Sequence, residues 1–200
     1  EAALLAGKGS LTLTGQLGEV LQESAQAALS YARSRAREFQ IPYEDFEDYD
    51  IHIHMPEGSV PKEGPSAGIT LAVAIISALT ERKVRSDYAM TGEVTLRGHV
   101  LPVGGIKEKV LAARRYKVFN IILPADNRKD LVDIPKAALR DMNIIFVDHM
   151  QQVLDLVLLE APAKRQRDLE NEEAEKAEKA EKAEKRRNAR KQKESGAEAE

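Results

Sequence analysis

The eleven residues Ile69-Thr-Leu-Ala-Val-Ala-Ile-Ile-Ser-Ala-Leu79 carry no charge and only two hydroxyls. A helix over Ser66–Leu79 that is apolar nearly all round must be enclosed by other elements, so it predicts a buried central helix. The run is far short of the roughly 20 apolar residues that a membrane span needs. The remaining chain has to supply layers around it. Gly15–Phe39 reads as one long helix, with Val20, Ala27, Ala28, Tyr31 and Ala32 at helical spacing and Glu19, Glu23, Arg33 and Arg37 on a polar face. Asp50–Met55 alternates strictly, Ile51, Ile53 and Met55 against His52 and His54, which predicts a half-buried strand.

Beyond the central helix, residues 88–103 hold short strand-like pieces broken at Gly92, Gly98 and Pro102. Ile106–Tyr116 reads as a helix and Val118–Leu123 as a buried strand. Short helices follow around Arg128–Ile134 and Lys136–Asp141, then a strand at Asn143–Val147 and a closing helix at Met150–Leu159. Strands and helices mixed in this order predict an α/β or α+β domain with its sheet partly covered.

Composition shifts abruptly near Pro162. Residues 164–200 contain 12 basic and 11 acidic residues, one Leu and no aromatic or β-branched residue. Glu–Lys pairs support helix locally, yet no apolar stripe exists to dock it. The expected organisation is therefore 1–14 as the end of a linker or an edge strand, 15–160 as the folded domain, and 161–200 as a charged tail. Overall charge is nearly balanced, with 30 Lys+Arg against 33 Asp+Glu, which argues against a dominant nucleic-acid footprint. The basic cluster at Lys185–Lys193 leaves DNA binding through the tail as a minor alternative. There is no Cys, so disulfides and thiolate chemistry are excluded and a cytoplasmic address is compatible. Residue 1 is Glu, no signal peptide opens the chain, and a fragment of something longer is expected.

The loop Pro61-Lys-Glu-Gly-Pro-Ser-Ala-Gly68 delivers Ser66 to the start of the buried helix. Pro65 suits a first helical position, and Ser66 then lies where unpaired backbone N–H groups and the positive helix end concentrate. Those features would stabilise an oxyanion formed by hydroxyl attack on a carbonyl; Gly64, Ala67 and Gly68 keep the surroundings small. The same residues also fit a serine that merely caps a helix. A serine nucleophile needs a base, and a lysine serves if burial lowers its pKa toward neutrality. Gly104-Gly-Ile-Lys-Glu-Lys-Val-Leu-Ala-Ala113 offers Lys107 and Lys109. Periodicity alone does not choose between them, and a lysine snorkelling over an apolar patch is the alternative.

Four stretches together, Ile51-His-Ile-His-Met-Pro-Glu-Gly58, Gly64-Pro-Ser-Ala-Gly68, Met90-Thr-Gly-Glu-Val-Thr-Leu-Arg-Gly98 and Leu101-Pro-Val-Gly-Gly-Ile-Lys-Glu-Lys109, closely resemble the Lon protease family in order and spacing. The resemblance runs from about Gly15 to Leu158. It implies that Ser66 is the nucleophile, that Lys109 is its base, and that the Thr91 hydroxyl helps orient the lysine. His52 and His54 match the family's His-x-His strand, with an active-site-rim or structural role; two imidazoles without a third ligand give no metal site. Glu63 departs from the Asp that many members carry, and is expected to hydrogen-bond backbone and steer the loop between forms.

The resemblance further implies a fold like the second domain of ribosomal protein S5, assembly into a homo-oligomeric, hexameric ring, and unfolded or damaged proteins as substrates. ATP and Mg would belong to an AAA+ module outside this chain. The only P-loop-like string, Ala6-Gly-Lys-Gly-Ser10, lacks the upstream glycine, so no cofactor is expected here. A folded but catalytically silent ring-assembly module is the main rival to an active peptidase.

Overall fold

The computed structural model describes residues 1–162, so the charged tail expected at 161–200 lies almost wholly outside the described residues. Three strands near the N-terminus form one sheet: β1 (Ala2–Ala6), β2 (Leu11–Thr14) and β3 (Tyr49–His54), in the order β1-β3-β2. β1 runs antiparallel to β3, with Leu4 opposite Ile51, whereas β2 runs parallel to it, with Leu13 opposite Ile53. Residues 1–14 are thus largely strand and occupy both edges of this sheet. A parallel pair cannot be closed by a hairpin. The crossover from β2 to β3 is made by α1 (Glu19–Ser34) and a short α2 (Asp45–Asp48).

The helix α1 is shorter than the apolar periodicity suggests. Gly15 and Gln16 have φ of 113° and 56°, outside the helical region, so the helix cannot begin there. At the other end Arg35–Gln40 form bonded turns, Gln40 has φ of 55°, and Pro42 follows two residues on. The buried stripe is Leu21, Ser24, Ala25, Ala28, Leu29, Tyr31 and Ala32, while Val20 is 46% exposed. Three alanines on that stripe let α1 lie close against α3 (Gly68–Thr80), whose Ile69, Leu71, Ala72, Val73, Ile75, Ile76 and Leu79 are all buried. The central helix is therefore where the sequence puts it, but its first turn begins at Gly68. Pro65 and Ser66 sit in the preceding turn, closed by Gly68 N–H donating to the Pro65 carbonyl at 3.0 Å.

A second sheet is all parallel: β4 (Tyr88–Met90), β7 (Asn120–Pro124) and β8 (Asn143–Val147), in the order β4-β7-β8. Between β4 and β7 lie an antiparallel hairpin, β5 (Glu93–Val94) and β6 (Val100–Leu101), and α4 (Ile106–Arg115). A 3₁₀ stretch (Ala125–Asp133) and α5 (Lys136–Leu139) connect β7 to β8, and α6 (Met150–Val157) closes the domain. Both faces of the parallel sheet are covered, as such sheets require. Ile121 and Leu123 of β7 pack with Ile106, Val110 and Ala113 of α4, while Ile122 joins the larger core around α3 and α6.

The tight hairpin β5–β6 turns at Gly98, which has φ of 86°. A Cβ there would lie 2.6 Å from Tyr31 Cε2 and 3.0 Å from the His149 ring. Gly98→Ala combines left-handed strain with overpacking, and is expected to lower stability by about 2 kcal/mol or more. Thermal and urea unfolding of the variant check this; an unchanged midpoint would show that the hairpin relaxes freely.

Candidate active site

Ser66 is held by its own carbonyl. The segment after β4 brings Thr91 and Gly92 alongside the turn, where Thr91 Oγ1 donates to Ser66 O at 3.0 Å and Gly92 N–H donates to the same oxygen at 2.9 Å. Ile69 N–H returns a bond to Gly92 O at 3.1 Å, and Thr91 N–H bonds Ile122 O of β7. Thr91 is only 5% exposed. Two donors on one carbonyl fix the peptide plane between Ser66 and Ala67; the Ser66 side chain is half-buried, and its hydroxyl has no hydrogen-bond partner among the described residues. The amides of Gly64, Ser66 and Ala67 donate to no group among the described residues. Gly64 (φ 87°) has nothing within 4 Å of the position a Cβ would take, so a chain can approach it closely. Such unpaired N–H groups at a helix entrance are suited to a developing oxyanion.

Lys109 stands in the second turn of α4, flanking the buried Ile106 and Val110. Its Nζ donates to the Gly104 carbonyl at 2.9 Å and makes no bond to Ser66. Burial lowers its pKa below the ordinary lysine value, because removing water penalises the ammonium more than the amine. Lys107 is exposed. Burial thus separates two lysines that periodicity left equivalent.

The supporting residues fall into different places. Thr91 meets Ser66, and its hydroxyl proton goes to the Ser66 carbonyl, not to the lysine. Among the described residues the Glu63 carboxylate makes no hydrogen bond to backbone; it lies over Gly18, where any side chain would collide with it. It therefore faces the N-terminal end of α1, where a negative charge is favoured by the helix dipole. His52 Nε2 and His54 Nδ1 both engage Thr14 Oγ1, at 2.9 and 2.7 Å, and neither ring bonds Ser66, Glu63 or Lys109. Among the described residues no group of three His, Cys, Asp or Glu could hold a metal ion.

Two concavities flank these residues. One, of about 250 Å³, lies beside Pro65 and is lined by Val20, Ser24, Ala27, Glu93 and Val94. The other, an open cleft of about 740 Å³, runs along Pro102–Glu108 toward Asn127 and Asp130.

Residues 1–160 match the family model of the Lon protease (S16) C-terminal proteolytic domain. This chain belongs to the Lon protease family. It is 57% identical over 163 residues to Lon protease of Syntrophomonas wolfei, covering 82% of this chain and 20% of that protein. It is 58% identical over 159 residues to Lon protease 2 of Thermus thermophilus and 59% identical over 160 residues to Lon protease of Desulforamulus reducens, in each case 80% of this chain and 20% of the other. The chain thus spans about a fifth of the length of these relatives. The family match, residues 1–160, includes the two N-terminal strands.

Sequence reasoning passed over Thr14, Gly18 and Lys62, all of which contact the loop or strand leading to Ser66. No local pattern marks them, because their partners lie about 40 or more positions away, apart from the two carbonyls that Lys62 also reaches within its own loop.

Two outcomes are expected. Thr91→Val removes one of the two donors on the Ser66 carbonyl and is expected to cost about 1 kcal/mol of stability in urea titration. Lys109→Met tests the burial of the amine. Because the folded pKa lies below the unfolded one, the unfolded chain binds more protons between the two values, and stability rises with pH across that window. The parent should gain stability on alkalinisation, whereas Lys109→Met should be the more stable of the two at neutral pH and show no such rise.

Proposed function

We propose that this domain is a serine endopeptidase in which Ser66 attacks a peptide carbonyl and Lys109 is the general base. The observation that carries the reading is the doubly anchored Ser66 carbonyl, which holds an unpartnered hydroxyl beside unpaired amides. In the reaction the neutral Lys109 amine leaves the Gly104 carbonyl, turns to Ser66 Oγ and accepts its proton as Oγ bonds the substrate carbon. The oxyanion is received by amides among Gly64, Ser66 and Ala67. Lys109 then passes the proton to the leaving amine, and water releases the acyl group by the reverse sequence. Two features support the lysine: its burial favours the neutral form, and Gly104 is a hydrogen-bond acceptor that holds the amine without adding a neighbouring charge. Thr91 acts by fixing the turn and retains lone pairs with which to receive the lysine N–H.

The whole-protein context follows the relatives. We take the substrates to be unfolded proteins threaded by an AAA+ module that binds ATP and Mg, with the proteolytic domains arranged as a hexameric ring in the cytoplasm. The mixed α/β fold with its parallel sheet is read as the ribosomal-protein-S5-like topology. No helix among the described residues is long and apolar enough to cross a membrane. The silent-module reading draws on one observation, the absence of a Ser66–Lys109 hydrogen bond.

Cleavage of casein and of an unstructured fluorogenic peptide by the chain, by Ser66→Ala and by Lys109→Ala decides between them. Both variants are expected to lose activity by about 10³-fold or more while keeping the parent's circular dichroism, since nucleophile and base act as a unit. The parent rate should rise with pH along a limb below the ordinary lysine pKa. Turnover surviving in Ser66→Ala would remove the mechanism, and an inactive parent would favour the silent module.

A further inference from the structure

Lys62 directs its ammonium at three backbone carbonyls at once: Gly15 O at 3.0 Å, Glu57 O at 2.9 Å and Val60 O at 3.0 Å. An ammonium has three protons, and all three are used. The Lys62 backbone is engaged as well. Its N–H donates to Gln16 O at 3.0 Å, its carbonyl accepts from Gly18 N–H at 2.9 Å, and Leu17 forms a parallel bridge with it. One residue therefore ties the β2–α1 connection to the β3–α3 loop through three hydrogen bonds, to Gly15, Gln16 and Gly18, and gathers its own loop through two more, to Glu57 and Val60. Two of the three carbonyls belong to residues with positive φ, Gly15 at 113° and Glu57 at 62°, and Gln16, whose carbonyl takes the Lys62 N–H, has φ of 56°. Three oxygens gathered around one point repel each other unless a cation sits between them. The ammonium fills that place, as a bound metal ion would in another loop.

The position of this node gives it a consequence for chemistry. From Lys62 the chain has four residues to reach Ser66, and at the far end the Ser66 carbonyl is clamped by Thr91 and Gly92. Between the two anchors lie Gly64, whose φ of 87° and open surroundings leave it free to pivot, and Pro65. With both ends held, Gly64 N–H keeps its direction relative to Ser66 Oγ. With only the Ser66 end held, it does not.

We propose that Lys62 is a positioning residue of the active site, whose ammonium acts as a built-in cation that sets the loop carrying the Gly64 amide and Ser66. The inference rests on Ser66 being the nucleophile. It assigns Lys62 no proton transfer and no contact with substrate, so it acts on the rate of the chemical step and not on peptide affinity or on the titration of Lys109.

The test compares Lys62→Met, which keeps the stem and removes every donor, with Lys62→Arg, which keeps the charge. On the fluorogenic peptide, Lys62→Met is expected to lose about 10-fold or more in kcat with KM changed by less than about 3-fold, and with the Lys109 limb of the pH profile unmoved. Lys62→Arg should recover a substantial part of kcat. Amide hydrogen exchange in the same proteins should quicken by about 10-fold or more at Lys62 and Gly18 in Lys62→Met, with the amides of α3 unchanged. A kcat within about 2-fold of the parent, or unchanged exchange in the loop, overturns the proposal. So does loosening that spreads into α3 or unfolds the domain, since the ammonium would then support the fold as a whole. Where the parent shows no turnover, the exchange comparison alone decides. The Ser66→Ala control keeps the outcomes apart: activity surviving there removes the nucleophile assignment, whatever Lys62 does.

Discussion

Two donors on the Ser66 carbonyl, the Thr91 hydroxyl and the Gly92 amide, hold together parts of the domain that are far apart in sequence. Thr91 N–H is bonded to Ile122 of the parallel sheet, and Gly92 O takes the amide of Ile69 in the first turn of α3. The central helix, the parallel sheet and the nucleophile turn thus share one small set of bonds. A part-buried carbonyl satisfied twice is costly to free, so the turn has little liberty to wander. The placement of the hydroxyl and the neighbouring amides depends on that restraint.

Two lysines of the domain use the same functional group in different ways. Lys62 sets its three protons on three backbone carbonyls. Lys109 meets one carbonyl and a desolvating environment, which works against its charge. An ammonium with three acceptors is a structural ion, whereas one short of acceptors and of water is inclined to shed its proton. The Lys109 shift comes from desolvation, so one residue type serves as a loop tether in one place and as a candidate base in another.

Much of the architecture was legible because it is local. The run Ile69–Leu79 and the alternation around Ile51 and Ile53 each announce their element through hydrophobic periodicity, and most of their apolar residues are buried. The errors fall where backbone conformation, not hydrophobicity, sets the boundary. Gly15 and Gln16 forbid an earlier start to α1, and the turn at Pro65–Gly68 puts Ser66 ahead of the helix instead of within it. Val20 looked like core by spacing but lines a concavity beside Pro65. The loop and the helix after it marked Ser66 as a candidate but left capping open, and left Lys107 and Lys109 equivalent; motif resemblance was needed to choose among them. Thr14 and Lys62 were invisible for a different reason, since each draws its importance from partners brought near by the β2–α1–β3 crossover.

That crossover also constrains the order in which the domain can assemble. β3 is the middle strand of its sheet, yet it is the last of the three in the chain, and β1 and β2 touch each other only through it. As the polypeptide leaves the ribosome, β1 and β2 lack the strand that joins them in this sheet until His54 has emerged. Closing that separation costs chain entropy before any pairing repays it, so this sheet is a slow-forming element of the domain. Until then β1 and β2 are unpaired, β-competent segments, and the Lys62 and Ser66 loop that follows β3 cannot be organised any sooner than they are.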